Sequence, residues 1–353
     1  MSEFAEFPVI AITQGDINGI GYEIILKTFN DPRMVEMASY VIYGSPKVLA
    51  YHKKALNLLN ININTIRTLD EVGNKRPSIL NLIDEAIRVE LGKSTIAAGE
   101  ASFAVLKKVA DDLKNKLIDI VVTAPINKHN IQEAGFTFPG HTEFFASQFG
   151  ITNELMLMVY NNLRIGVVTG HIPVSKVSET LNTNLIVAKL TALNQSLFTD
   201  FAIRKPNIAV LGLNPHAGDG GVIGTEEQEI ILPAIEQARK QGIMAIGPFA
   251  ADGFFGSGEY TKFDAILAMY HDQGLVPFKT IAAGEGVNFT AGLPIIRTSP
   301  AHGTAYDIAG KGVASEESFR QAIYLAIDIF RNRKLIEGIE PLKKQVYLET
   351  EER

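Results

Sequence analysis

The sequence predicts an α/β fold built on a largely parallel sheet with helices on both faces. Three observations carry that expectation. Short, continuous apolar runs alternate with longer helical patterns from end to end, and strands covered on both faces read as unbroken apolar stretches. Gly contributes 30 residues and aromatics only 8% of a chain that is 46% hydrophobic, a mix suited to tight turns between strands and helices. At 353 residues the chain exceeds one minimal domain, so it forms either two lobes or one large α/β unit.

Taken in order, Phe7–Thr13 (FPVIAIT) is a buried strand that ends in the glycine-rich stretch Gln14–Gly21, with a helix starting over Tyr22–Phe29. Tyr40–Gly44 is a second strand, followed by a helix through Lys47–Leu59. A helix with Ala98, Ala101, Ala104 and Val105 on one face leads to a strand over Ile118–Thr123. Leu155–Val159, Arg164–Thr169, Asn207–Leu213 and Ala265–Met269 are four further strands, and a histidine-bearing turn follows each of the last three. Ligands in such sheets collect beyond the carboxyl ends of the strands.

Composition excludes several classes. Cysteine is absent, so disulfides and thiolate metal ligands are ruled out. A formal net charge of -6 leaves no basic footprint for nucleic acid. The N-terminal MSEFAEFPVIAITQGD lacks a basic leader, and no apolar stretch approaches bilayer length, so no membrane association and a cytoplasmic location are expected.

His171 (VVTGHIP), His216 (GLNPHAGDGG) and His271 (AMYHDQG) share one context: a buried strand, a small or turn residue, then the imidazole. A parallel sheet aligns such ends along one edge or presents them to a neighbouring subunit. Three neutral imidazoles suit a divalent transition metal and leave a coordination position for substrate. Turn capping remains the alternative for any one of them. His52, in YHKKALN, is expected on a solvated helix face, and His129 on the surface.

The loop Gly15-Asp-Ile-Asn-Gly19-Ile-Gly21 follows a strand and opens a helix, so its amides can face an anion or simply form a tight turn. Lys279, Asn288 and Arg297 surround a second glycine-containing stretch and suit a phosphate or carboxylate, which Arg can grip bidentately. His141 and Thr142, in FPGHTE, are placed in the same pocket. Ala301–Gly310 is a run of small residues expected to lead into a helix and to let a flat cofactor approach the backbone.

With TAPINK, FPGHTE, GLNPHAG, YHDQGL, GVNFTAGLPIIRTS and HGTAYDIAGKG in this order, nearly the whole chain resembles the 4-hydroxythreonine-4-phosphate dehydrogenase family of pyridoxal phosphate biosynthesis. The resemblance implies an isocitrate and isopropylmalate dehydrogenase type of fold. It implies a cofactor-side lobe of residues 1–130 and 285–353 and a metal-binding, dimerising lobe of residues 131–284. It implies that His171, His216 and His271 bind zinc, cobalt or magnesium at a site shared between the subunits of a homodimer. His141, Thr142, Lys279, Asn288 and Arg297 would contact substrate, with Asp252 and Asp272 as candidates for the base. NAD or NADP would lie near His302, Gly303, Thr304 and Asp307 and the first loop, at Gly15, Asp16, Gly19 and Gly21.

The implied reaction is NAD-dependent oxidative decarboxylation of 4-(phosphooxy)-L-threonine to 3-amino-2-oxopropyl phosphate and carbon dioxide. Dehydrogenation of D-threonate or D-erythronate 4-phosphate, and non-catalytic binding of a phosphorylated ligand, are the alternatives. The chain departs from the family pattern in reading GDINGIG for GDPAGIG. It carries Ala250 and Gly253 beside Asp252 where Pro and Thr are usual, and Ala301 where Asp often precedes His302. These positions bear on cofactor and substrate selectivity.

Overall fold

The computed structural model describes residues 7–83 and 86–351, with side chains described as far as residue 338. Among them the strands are β1 (Val9–Thr13), β2 (Ser39–Gly44), β3 (Asn64–Ile66), β4 (Ser78–Asn81), β5 (Ile120–Thr123), β6 (Leu155–Tyr160), β7 (Leu163–Thr169), β8 (Asn207–Leu211), β9 (Met244–Phe249), β10 (Ala265–Tyr270), β11 (Val287–Ala291) and β12 (Ile296–Pro300). The chain divides into two compact units, Met1–Thr152 with Ala282–Ile327 and Asn153–Ile281 with Asp328–Arg353. Both are α/β, and most strand pairs are parallel.

In the first unit the strands run β3-β4-β2-β1-β5-β12-β11. All neighbours are parallel except β11 and β12, an antiparallel pair with Asn288 opposite Ser299 and Phe289 opposite Thr298. Ile10, Ile12, Val41, Ile42, Ile120 and Val122 are all inaccessible to solvent, as a sheet covered on both faces requires. The helices start where the sequence offers a cap. Ser45 accepts from Val48 N ahead of Pro46–Ala55, Thr95 from Ala98 N ahead of Ile96–Lys114, and Asn127 from His129 N and Asn130 N ahead of Lys128–Glu133. Each cap contributes about 1 kcal/mol.

In the second unit the order is β6-β7-β10-β8-β9, with β6 and β7 antiparallel and the other pairs parallel. The helix Thr183–Thr199 buries Ile186, Val187, Leu190, Leu193 and Leu197, spaced at three to four residues on one face. The C-terminal helix Glu317–Glu351 begins in the first unit, and from Asp328 it belongs to the second. There Arg333 Nε meets Asp200 Oδ1 at 2.6 Å and Asn332 Nδ2 donates to Asp200 O at 2.8 Å.

The structure alters several expectations. The segment 131–152, with His141 and Thr142, lies in the first unit rather than with the strand-end histidines. It is held there by Thr142 Oγ1 at 3.2 Å from Thr290 Oγ1 and by Lys114 on Gln148. Asn288 and Arg297 stand on the strand pair β11–β12, not on a glycine loop. Residues 301–316 contain no helix; the helix waits until Glu317.

His52 is buried at 1% exposure instead of solvated. It shares the inward face of its helix with Val48 and Leu49, its ring stacks on Tyr22 at 5.1 Å, and Nε2 donates to Ile17 O at 2.8 Å. The flanking lysines, which suggested a wet helix, lie outside that inward face.

The first glycine loop is likewise buried from Gly15 through Gly21. Four of its amides already have partners: Asp16 N donates to Pro125 O, Asn18 N to Asp16 Oδ1, Gly19 N to Asp16 O and Ile20 N to Thr304 O. Asp16 Oδ2 also accepts from Asn130 Nδ2 and Tyr306 Oη, both at 2.7 Å. Asn18, at a position where the family commonly has Ala, binds Glu90 N, Lys93 O and the Thr95 hydroxyl. The loop therefore knots three segments of the first unit together.

Candidate active site

In the first unit the β11–β12 pair and the N-terminus of the helix His141–Gln148 enclose a buried guanidinium. Arg297 is 2% exposed, and its partners are hydroxyls and an imidazole rather than a carboxylate. Nε and Nη2 donate to Thr123 Oγ1 at 3.3 and 2.9 Å, Nη1 to Thr290 Oγ1 at 3.2 Å, and Nη2 to Ser299 Oγ at 2.8 Å. Burial pulls the guanidinium down to about 9, with the charge of Glu143 opposing the shift, so it stays cationic at neutral pH.

The Nη2 group also donates to His141 Nδ1 at 3.1 Å. That contact fixes the tautomer, because Nδ1 must accept and the ring proton must sit on Nε2. His141 Nε2 is buried without a partner, as is Asn288 Oδ1. Burial, then the charges of Arg297 and Lys128, hold the imidazole well below its ordinary range and therefore neutral. Thr142, Thr290, Ser299 and Thr123 supply rotatable hydroxyl protons beside the cation. A buried unpartnered N–H next to a buried cation ringed by hydroxyls is suited to an oxyanion.

The two buried histidines set an acid limit on stability. His52 is lowered by burial, against the hydrogen bond to Ile17 and the charge of Glu23; His141 is lowered as described. Both are protonated more readily in the unfolded chain, so their contribution is complete above the unfolded value near 6.5. It declines as pH falls below that value, by up to about 1.4 kcal/mol per pH unit for each group. Urea midpoints should therefore drop from pH 7.5 to pH 5.5, and a H52Q variant should show a shallower drop. Midpoints that rise over this interval would contradict the assignment.

The cofactor candidates divide by exposure. Gly15, Asp16, Gly19 and Gly21 are buried in the knot described above. Gly303 and Asp307 are exposed, and open space lies where a Cβ at Gly303 would stand. His302 Nδ1 donates to Gly303 O at 3.1 Å, which leaves Nε2 as an acceptor; it is buried and without a partner. The 302–307 segment thus offers both an accessible backbone and an unused polar atom.

In the second unit His171 follows β7, and His271 opens the helix His271–Ala282 directly after β10, where a turn was expected. Their ring centroids are 5.8 Å apart. Two imidazoles on one tetrahedral ion at about 2.1 Å put their ring centres roughly 5–6 Å apart, so the pair fits a shared metal. His271 Nδ1 lies 2.7 Å from Asp272 Oδ1, leaving Nε2 to face a ligand, the arrangement by which carboxylates orient metal-binding imidazoles. The pair opens on a hollow of about 220 Å³ that is also lined by Ile172, Val174 and Tyr270. Among the described residues no group of three His, Asp or Glu closes around a metal within the chain.

His216 lies apart from this pair's lining, on a turn in which His216, Ala217, Gly218, Asp219 and Gly220 all take left-handed backbone angles. Such angles cost about 1–2 kcal/mol for each residue that carries a Cβ. Side chains cross-link the three strand ends. Thr169 Oγ1 donates to Met269 O at 2.8 Å, while Gln273 accepts from Met269 N at 2.7 Å and donates to Gly212 O at 2.6 Å. Gln273, Thr169 and Glu227, which holds the start of the His216 loop, carried no sequence signal beyond their nearness to the histidine motifs. Asp252 is exposed near the start of the helix Ala251–Gly256, and Lys279 is exposed on the helix that His271 opens.

These features define an α/β protein with a buried cationic pocket in one unit and a pair of strand-end imidazoles in the other. Residues 36–326 match the family model described as pyridoxal phosphate biosynthetic protein PdxA, and the chain belongs to that family. It is 55% identical to the 4-hydroxythreonine-4-phosphate dehydrogenase of Bacteroides thetaiotaomicron over 96% of this chain and 93% of the relative. It is 43% identical to the enzyme of that name from Sulfurihydrogenibium sp., over 92% of this chain and 99% of the relative. The crystal structure of 4-hydroxythreonine-4-phosphate dehydrogenase from Klebsiella pneumoniae superposes with a TM-score of 0.78 at 33% identity, covering 91% of this chain and 99% of that one.

Proposed function

We propose that this chain is an NAD-dependent, divalent-metal-dependent dehydrogenase that oxidatively decarboxylates 4-(phosphooxy)-L-threonine to 3-amino-2-oxopropyl phosphate in pyridoxine 5'-phosphate biosynthesis. Family membership supports the reaction. The observation that carries the reading is the Arg297 guanidinium, buried with no carboxylate hydrogen-bonded to it, beside the unpartnered His141 Nε2. Arg297, His141, Thr142 and Asn288 bind an anionic end of the substrate and fix its orientation.

His171 and His271 would hold the divalent ion, and His216 of a second copy of the chain would complete the site. The exposure of His171 and His216 and the half-buried position of His271 support an assembly of that kind. The ion would supply Lewis-acid charge for the oxidation. NAD, held by His302, Gly303 and Thr304 with the buried first loop as their support, would supply the hydride acceptor.

Asp252 is the proton acceptor in this account, since its exposed carboxylate forms no side-chain hydrogen bond, whereas Asp272 is engaged in orienting His271. Removal of the hydroxyl proton and loss of hydride give a β-keto acid, which loses carbon dioxide. The enolate that remains is reprotonated to the amino ketone.

Side-by-side steady-state assays with 4-(phosphooxy)-L-threonine and with D-threonate and D-erythronate 4-phosphates test the substrate. The expected result is a kcat/KM at least about 100-fold higher for the amino acid phosphate, a difference of roughly 2.7 kcal/mol in transition-state binding. A preference for either sugar-acid phosphate would reassign the enzyme within its chemistry.

A further inference from the structure

We propose that Glu227 is the positioning residue for His216, its buried carboxylate fixing the left-handed turn from which that imidazole projects. The inference rests on the reading of His216 as a metal ligand and adds a residue to it. Glu227 is 2% exposed. Its Oε1 accepts from Leu213 N and Asn214 N, both at 2.7 Å, and its Oε2 accepts from Asn214 Nδ2 at 3.0 Å. All three donors lie just ahead of Pro215 and His216, where the chain leaves β8 and enters the turn.

The turn leaves little room for another arrangement. A Cβ at Gly218 would stand 2.6 Å from Glu227 Oε2, and one at Gly212 would stand 3.0 Å from Ala217 Cα. The carboxylate therefore lies directly beneath the left-handed residues and sets their height above β8. Asn214 is gripped a second time by Glu226 at 2.7 Å, and Glu226 is itself held by Ser178 Oγ at 2.7 Å. Glu227 opens the π-helical turn Glu227–Ile231, a deformation that concentrates at functional sites.

Three residues with a Cβ in left-handed angles persist only where their surroundings over-determine them. No hydrogen bond ties the His216 side chain to the turn, so its position follows from the backbone that Glu227 holds. An amide at position 227 can keep its carbonyl oxygen on the backbone N–H groups of Leu213 and Asn214, but its NH2 then faces the NH2 of Asn214 and that bond is lost; turned over, it sets its NH2 against both backbone N–H groups. Substitution by Gln thus keeps the size of the side chain and disturbs only the anchoring.

The test is equilibrium Co2+ binding to the full-length protein, read by the visible spectrum of the bound ion and by metal analysis after dialysis. E227Q and H216A are compared with the parent, with circular dichroism as the check on folding. E227Q is expected to fold and to bind Co2+ about 10- to 100-fold more weakly, the effect seen when a residue that orients a ligand is lost. H216A is expected to bind more weakly still. Parental affinity in folded E227Q, with H216A impaired, would overturn the role of Glu227 alone; parental affinity in H216A would overturn the metal reading beneath it. Should E227Q fail to fold, N214A removes the amide gripped by Glu226 and Glu227 while keeping the backbone donors. It is expected to weaken binding several-fold, and unchanged affinity in that variant would likewise overturn the proposal.

Discussion

Replacing Arg297 with Met is expected to remove substrate binding while leaving the protein as stable as before, or more so. The guanidinium is buried among Thr123, Thr290, Ser299 and His141 with no carboxylate bonded to it. Its desolvation is met by neutral acceptors and, without a hydrogen bond, by the charge of Glu143. Exchanging a buried charge that has no bonded counter-ion for an apolar chain of similar length removes that desolvation cost, so stability is expected to hold or rise. Charge-assisted hydrogen bonds to an anionic substrate are worth about 1.5–3 kcal/mol each. Loss of two should weaken binding by roughly a hundredfold to ten-thousandfold. Calorimetric titration of the substrate together with thermal melting checks both halves. A large fall in melting temperature with substrate affinity preserved would make Arg297 a structural cation and empty the pocket of its assigned role.

Removing His216 should abolish metal-dependent NADH formation without unfolding the chain. The imidazole is exposed, so its loss costs no core packing. As one of three protein ligands it should carry a large share of the metal affinity. Apparent binding energies of about 10–16 kcal/mol for four-ligand zinc sites correspond to roughly 3–4 kcal/mol per ligand, or about two to three orders of magnitude. The H216A variant should keep its circular dichroism and its oligomeric state by light scattering, and it should lose activity at metal concentrations that saturate the parent. Near-normal activity after metal removal and resupply would contradict the ligand assignment.

How far the sequence disclosed these features depended on how each residue meets solvent. Strands β1, β2, β5, β6, β7, β8 and β10 stand out as continuous apolar runs because the sheet is covered on both faces there. Strands β11 and β12 do not, because they turn Asn288, Thr290, Arg297 and Ser299 toward the cationic pocket, and a strand that carries a binding site looks like a polar loop. Strand β3 has only three residues, and β9 is interrupted by Gly247 and Pro248. His52 was masked by Lys53 and Lys54, which share its helix but not its inward face. The strand-end placement of the histidines was legible from apolar runs alone. The anchoring carboxylates were not: Glu227 occurs in a stretch that looks like an ordinary solvated helix start, and Asp272, singled out as a candidate base, orients His271 instead, roles that show only once the backbone amides and the imidazole they bind are located.

The two stretches expected near the cofactor, the first glycine loop and the run of small residues after Ala301, also part company in the structure. The first, for which an anion site and a tight turn were both open, is a turn whose amides at Asp16, Asn18, Gly19 and Ile20 bond Pro125, Asp16 and Thr304. Glycine is required there for close approach, since a Cβ at Gly19 would stand 2.8 Å from Thr304 O. Sequence shows that glycine is needed without showing what comes close, and here the neighbour is the chain's own backbone. The 302–307 segment keeps an exposed backbone and an unused ring nitrogen, and it carries the cofactor proposal instead.

The measurement that tests the account most directly is NADH formation from 4-(phosphooxy)-L-threonine by protein first stripped of metal and then resupplied with zinc, cobalt or magnesium. The account predicts no NADH from the stripped protein, and restoration by at least one of these ions with one carbon dioxide released per NADH. Undiminished NADH formation by protein with no metal detectable by mass spectrometry would contradict it.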